Sequence, residues 1–211
     1  MKAQATSRSA RPAAARPLEG SARERLLAAA TELFYAEGVH TVGIERVIER
    51  AGVAKASLYS TFGSKEALVR AYLEARAADR RERVAARLAR HEDPRARLLE
   101  IFDYLAERAA EPDFRGCAFV NANAEGPREE GAAAEVTADM RAWQRELFTS
   151  LARACGASEP TSLGRRLCVL YDGASVAASL DRDPRAAREA RAVAEVLLDA
   201  HLAAAPRPRR V

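Results

Sequence analysis

The stretch TVGIERVIERAGVAKASLYSTFGSK, residues 41–65, constrains the fold more than any other part of the chain. Ile44, Val47, Ile48 and Ala51 fall at i, i+3, i+4 and i+7, which puts one apolar face on a short helix over 44–50. Gly52 follows, and a glycine takes the positive φ of a sharp inter-helix turn without steric cost. Val53 is placed to plug that turn into a core. A second helix over 55–62 carries Leu58 and Phe62 on one side and Lys55, Ser57, Tyr59 and Ser60 largely on the others. Gly63 ends it, and Ser64 is an N-cap for the next helix.

Two helices across a glycine turn make a helix-turn-helix, whose second helix can enter the major groove of DNA. The polar set suits that task. Lys55 can meet phosphate or guanine, the hydroxyls of Ser57, Tyr59, Ser60 and Thr61 can donate to phosphates or base edges, and Ala56 permits close approach. The same spacing also fits an ordinary helical hairpin, so the residues alone leave both readings open.

Ala51, Gly52, Val53, Lys55, Leu58, Tyr59, Phe62, Lys65, Glu66 and Leu68 match, in order and spacing, the signature Ala-Gly-Val-x-Lys-x-x-Leu-Tyr-x-x-Phe-x-x-Lys-Glu-x-Leu. In this the chain resembles the TetR family of transcriptional regulators over residues 21–68. The resemblance implies that Tyr59, Lys65 and the Thr41 hydroxyl grip phosphates, while Lys55, Ala56, Ser57 and Ser60 face base edges. Two positions depart from the pattern: Ala54 stands where a small polar N-cap is usual, and the bulkier Ile48 where alanine is usual.

The resemblance also implies an all-α fold with a three-helix DNA-binding head (20–66) and a six-helix ligand-binding and dimerisation body (67–205). Composition agrees independently. Ala, Leu, Arg and Glu dominate, glycine and aromatics are sparse, and no alternating β-branched run is long enough for a strand. Ser21 opens the first helix in a capping box with Glu24, and Leu26, Ala30, Leu33 and Phe34 form its apolar stripe up to Gly38. Further helices are expected over 64–90, 94–110, a short segment ending at Gly126-Pro127, 128–154, 160–180, and after Pro184. The fourth carries Arg76, Arg80, Arg81, Arg83 and Arg87, which Glu74, Asp79 and Glu82 interrupt; that mixture reads as a solvated face.

Residues 1–19 and 206–211 read as disordered tails. The first is basic and either adds non-specific phosphate contacts or is inert. Residues 1–66 hold ten Lys/Arg and seven Glu, net +3, and the remainder 24 basic and 23 acidic residues, net +1. A basic amino-terminal unit on a nearly neutral body suits a DNA-binding head.

In the body, the bulky and semi-polar residues Phe102, Leu105, Cys117, Phe119, Val120, Asn121, Trp143, Phe148 and Tyr171 are the candidates to line the small-molecule pocket that the resemblance implies. An apolar pocket with few polar handles would take an apolar or amphipathic inducer. The resemblance further implies that helices eight and nine dimerise, and a homodimer would read a palindromic operator in double-stranded DNA. Cys117, near a helix start, offers an alternative, redox sensing, with Cys155 or Cys168 as partner; a helical adaptor that binds no DNA is another. An enzyme is disfavoured: His40, His91 and His201 are scattered, and neither a nucleophile elbow nor a Gly-rich phosphate loop appears. No metal or cofactor is expected. Three cysteines without a Cys-x-x-Cys pair, and no run near the ~20 apolar residues of a membrane span, predict a cytoplasmic protein without membrane partners.

Overall fold

A computed structural model of the chain describes residues 18–124 and 131–203. Residues 1–17 of the predicted 1–19 tail, the predicted tail at 206–211 and the Gly126-Pro127 stop lie outside the described residues. Among those described, the secondary structure is helical: α1 (Ala22–Glu37), α2 (Ile44–Ala51), α3 (Lys55–Phe62), α4 (Lys65–Leu88), α5 (Pro94–Ala109), α6 (Ala118–Ala124), α7 (Ala132–Ala154), α8 (Pro160–Asp181) and α9 (Arg185–Ala203).

The helix ends follow from local chemistry. The Ser21 hydroxyl accepts from the Glu24 backbone nitrogen and the Glu24 carboxylate accepts from the Ser21 nitrogen, the reciprocal box expected before α1. Such a cap contributes about 1 kcal/mol. Asp93 caps α5 through Arg95 N and Ala96 N, with Pro94 at its first position, where the missing N–H costs nothing. Ser64 caps α4 through Ala67 N at 3.0 Å.

Two apolar clusters hold the helices together. The first joins the α1 stripe (Leu26, Ala30, Leu33, Phe34) to Val47, Ala51 and Leu58 of the hairpin, and runs on through Leu68 and Tyr72 of α4 to Phe119 and Met140. The second, built from Leu98, Phe102, Phe148, Leu163, Leu167, Tyr171 and Leu198, binds α5, α7, α8 and α9. α4 therefore starts inside the head's core and leaves it along the body.

Two packing details set how closely the body helices lie. The close approach of α7 and α8 occurs at Gly164: a Cβ there would fall 2.5 Å from the Thr149 hydroxyl and 2.9 Å from its backbone nitrogen. On α9 the inward face is the alanine row Ala187, Ala190 and Ala194 with Leu198, all buried, while Val193 and Val196 point outward. Alanine lets α9 lie close to its neighbours, and that leaves the larger apolar side chains on the far side.

Candidate nucleic-acid interface and body cavity

Gly52 takes the left-handed conformation the turn requires (φ 63°, ψ 42°), and its N–H closes α2 onto Ile48 O and Glu49 O. Arg25 of α1 donates Nη1 to Ala51 O at 3.3 Å and to Gly52 O at 3.1 Å, which fastens the turn to α1. Ion pairs Arg46–Glu37 and Arg50–Glu32 tie α2 to α1 as well. With Leu58 fully buried, the opposite side of α3 faces solvent: Lys55, Ala56, Tyr59 and Ser60 are exposed, Tyr59 at 47%.

The remaining predicted contacts flank this face. Thr41 is exposed in the turn before Gly43, the residue that caps α2 without a side chain. Lys65 is the first residue of α4 and half-buried. Ser57 is half-buried, and Thr61 turns back along the helix, its hydroxyl donating to Ser57 O at 2.6 Å. Thr61 is thus engaged within its own helix. Lys55 Nζ pairs with Glu45 Oε1 at 2.9 Å; that hydrogen bond raises the lysine pKa and holds the Glu45 carboxyl below its usual range. Ala54 caps α3 with no side-chain bond, as its identity dictates.

The charge distribution is sharper than the sequence tally by halves. Residues 1–17 contain Lys2, Arg8, Arg11 and Arg16 and no acid, so the chain's entire excess of +4 equals theirs. Residues 18–66 hold six Lys/Arg and seven Glu, net −1.

In the body, a cavity of about 250 Å³ opens between α1, α4, α5, α8 and the segment before α6. Of the predicted pocket residues, Leu105, Cys117, Phe119 and Tyr171 line it. The others stand elsewhere. Phe102 and Phe148 are fully buried behind Tyr171, with ring centroids 6.0 and 6.1 Å from it. Trp143 packs against the head-side cluster with Arg81 5.8 Å from its ring. Val120 is 37% exposed. Asn121 Nδ2 donates to Arg115 O at 2.8 Å and borders a separate, wider surface cleft.

The cavity is also less apolar than expected, because Arg76, Arg80, Arg83 and Arg108 line it together with Tyr35 and Tyr104. Arg83 is held by Asp79 at 2.7 Å and Arg108 by Glu111. Arg76 lies 4.1 Å from the Tyr35 ring centroid and Arg80 5.2 Å from that of Tyr171. Arg80 Nη2 donates to Gln144 Oε1 at 2.7 Å; Gln144 in turn donates to Asp172, whose other oxygen is taken by Arg141. The reading of these arginines as a solvated face missed them. The signal was present: residues 76, 80 and 83 stand at i, i+4 and i+7, one side of α4, whereas Arg81 stands off it.

Tyr35 belongs to α1, yet its hydroxyl accepts from Arg115 N at 2.9 Å and donates to Gly116 O at 3.1 Å in the body. Gly116 has φ 77°, and a Cβ there would come within 3.2 Å of Ser179 Cβ on α8, so the site admits little but glycine. Cys117, Cys155 and Cys168 are free thiols. Cys117 packs on the head-side cluster and Cys155 on the other. Burial raises the pKa of Cys155, and pushes that of Cys168 up to about 11. Among the described residues, no His/Cys/Asp/Glu group is arranged to hold a metal, and no helix is long and apolar enough to cross a membrane.

Comparison with known proteins places this architecture. Residues 26–72 match the family model of bacterial regulatory proteins of the tetR family, and residues 94–194 match the tetracyclin repressor-like C-terminal domain. The chain is similar to a TetR-family transcriptional regulator of known structure from Streptomyces coelicolor, with 34% identity over 86% of this chain and 90% of that one and a TM-score of 0.82. Curated relatives match over shorter stretches. The HTH-type transcriptional regulator LmrA of Bacillus subtilis is 44% identical over 50 residues, 23% of this chain and 27% of the relative. The HTH-type transcriptional activator FasR of Mycolicibacterium smegmatis is 44% identical over 52 residues, 25% of this chain and 24% of the relative. The chain thus matches about a quarter of the length of either curated relative. Proteins of this kind regulate transcription and are not enzymes. On the helix-turn-helix signature, the all-helical body and these matches together, the chain belongs to the TetR family of transcriptional regulators.

Proposed function

We propose that this chain is a ligand-responsive repressor that binds a palindromic operator as a cytoplasmic homodimer and leaves it when a small molecule enters the body cavity. One observation carries the reading. Tyr35 stands on the helix that clamps the recognition turn, and it also walls the cavity, bonded to the Arg115–Gly116 segment and stacked on Arg76. A ligand against Tyr35 and Arg76 touches α1 and α4 at once. It can thereby shift the population between head positions that fit DNA and those that do not.

The outer faces of α8 and α9 support a dimer. Val169, Val176 and Leu180 recur at i, i+7 and i+11 on α8, with Val169 72% and Leu180 78% exposed, and Val193 and Val196 are exposed on α9. A two-fold pair through these faces would set two α3 helices about 34–36 Å apart or somewhat more, facing successive turns of one groove. Lys55, Ala56, Ser57 and Ser60 would read bases, and Thr41, Tyr59 and Lys65 would hold phosphates.

Fluorescence anisotropy with DNA flanking the protein's own gene tests this, alongside light scattering for mass. Salt-sensitive, sequence-specific binding by a dimer is expected. Val169→Glu with Leu180→Glu should give monomers that lose specific binding. Removing residues 1–17, with their four positive charges, should lower the salt slope by up to about 3–4 if all four meet phosphates. A monomeric binding species, or binding indifferent to sequence, would sink the reading. A reporter behind the bound fragment decides the sense: transcription that rises with the protein would make it an activator.

A further inference from the structure

We infer that the body cavity takes a compact organic anion, a carboxylate on an aromatic or short acyl body, held by Arg76 and Arg80. This rests on the reading of the cavity as the effector site and narrows what enters it.

The two arginines stand one turn apart on α4, line the same 250 Å³ space, and each lies over a tyrosine ring, at 4.1 and 5.2 Å. Neither has a carboxylate partner among the described residues. The acids nearby are committed elsewhere: Asp79 to Arg83, Glu111 to Arg108, and Asp172 to Arg141. The lining sums to four arginines against Asp79 and Asp113, net +2, and remains +1 when Glu111 is added. Burial opposes the charge of Arg80, and its neighbours outweigh burial, so its pKa is raised. Of the groups that favour it, Tyr171, Cys117, Tyr104 and Asp172, only Asp172 is a carboxylate.

A cation facing a cavity without a direct carboxylate partner is costly, and proteins normally pair it. Here the one polar partner of Arg80 is an amide, Gln144. Each guanidinium carbon lies over a tyrosine ring, and Arg80 gives one Nη2 N–H to Gln144 and keeps its other N–H groups for a ligand; a guanidinium so placed can grip a carboxylate through two parallel N–H groups. The rest of the wall is Tyr104, Leu105, Phe114 and Phe119. That is a surface for a ring or a short chain, in a space below the ~300–1,000 Å³ of pockets for drug-sized ligands.

The test uses the full-length protein bound to its DNA fragment. Benzoate and hexanoate are compared with their uncharged counterparts, benzamide and hexanamide, at constant ionic strength. DNA release is read by anisotropy, and direct binding by calorimetry and thermal midpoint. The acids are expected to bind and release DNA and the amides to do neither. Arg80→Gln and Arg76→Gln should each weaken acid binding about 10- to 100-fold. Arg80→Gln without ligand should melt no lower than the wild type, since Arg80 has no direct carboxylate partner to lose.

Amides that bind as well as acids would overturn the anion class and leave the effector reading standing. Acids that bind at Arg76 and Arg80 without altering DNA affinity would keep the anion site and overturn the effector reading. No response to either acid, together with an Arg80→Gln variant that melts lower, would make Arg80 structural and end the inference.

Discussion

Lys55 on the recognition helix and Arg80 on α4 are both long cations on helices, and their surroundings are opposite. Lys55 stands in solvent with a carboxylate, Glu45, at 2.9 Å. Arg80 is half-buried and faces the body cavity with an amide and a tyrosine ring for company. A solvated ion pair is easily exchanged, so Lys55 can leave Glu45 for a phosphate or a base. A desolvated cation has no such cheap alternative. The difference teaches that a carboxylate is a replaceable partner for a solvated cation, whereas a cation facing the body cavity is left with neutral neighbours.

Four perturbations break or sharpen that contrast. The largest acts on the platform beneath Lys55. Leu58 is fully buried, and Leu58→Ala should cost about 2–5 kcal/mol and abolish DNA binding, which chemical denaturation and anisotropy would read together. An unchanged midpoint would mean the hairpin does not depend on its core.

The second probes how dry the interior beside Arg80 is. Cys168 adjoins Asp172 and Gln144, and burial first, then Asp172, pushes its pKa up to about 11 from 9. The folded state holds the proton more tightly than the unfolded one. Its stabilisation is therefore complete below about pH 9 and lost as pH rises through about 11, a change of about 2–3 kcal/mol. Cys168→Ala should flatten that part of the stability curve. A wild-type curve already flat there would place water beside Arg80 and weaken the contrast.

The third tests exchange at the surface. Lys55→Ala should change operator preference by about tenfold at one base position. Glu45→Gln should raise affinity more modestly by releasing the lysine, with fragment selection and titration as readouts. Equal loss on all sequences would recast Lys55 as a phosphate contact. The smallest effect is expected at the link between the regions. Tyr35→Phe removes hydrogen bonds to Arg115 N and Gly116 O, should cost about 1 kcal/mol, and should blunt ligand-driven release while leaving DNA affinity near wild type. Full release in the variant would route the signal elsewhere.

The reading unit was almost wholly legible from residues, because its determinants are local. α3 spans the predicted 55–62, Gly52 has the positive φ its position called for, and the Ser21–Glu24 box forms as spaced. The hydroxyls of Ser60 and Thr61 both donate to Ser57 O inside α3, a bond the polar pattern alone did not single out. The cavity was legible for Leu105, Cys117, Phe119 and Tyr171. It was misjudged at Phe102 and Phe148, which form a solid aromatic core, and at Arg76 and Arg80, which a mixed charge run concealed.

The amino-acid order by itself determined where helices begin and end, which stripe of each is apolar, and that a glycine turn offers a polar helix to solvent. Those properties depend on neighbours within about four positions, where caps and the 3.6-residue period act. Tertiary structure alone decided that the alanine row of α9 goes inward and its valines outward, that three α4 arginines line a cavity, and that Tyr35 joins head to body. Each is a meeting of segments far apart in the chain, and a helix's own period cannot specify which partner its second face will meet.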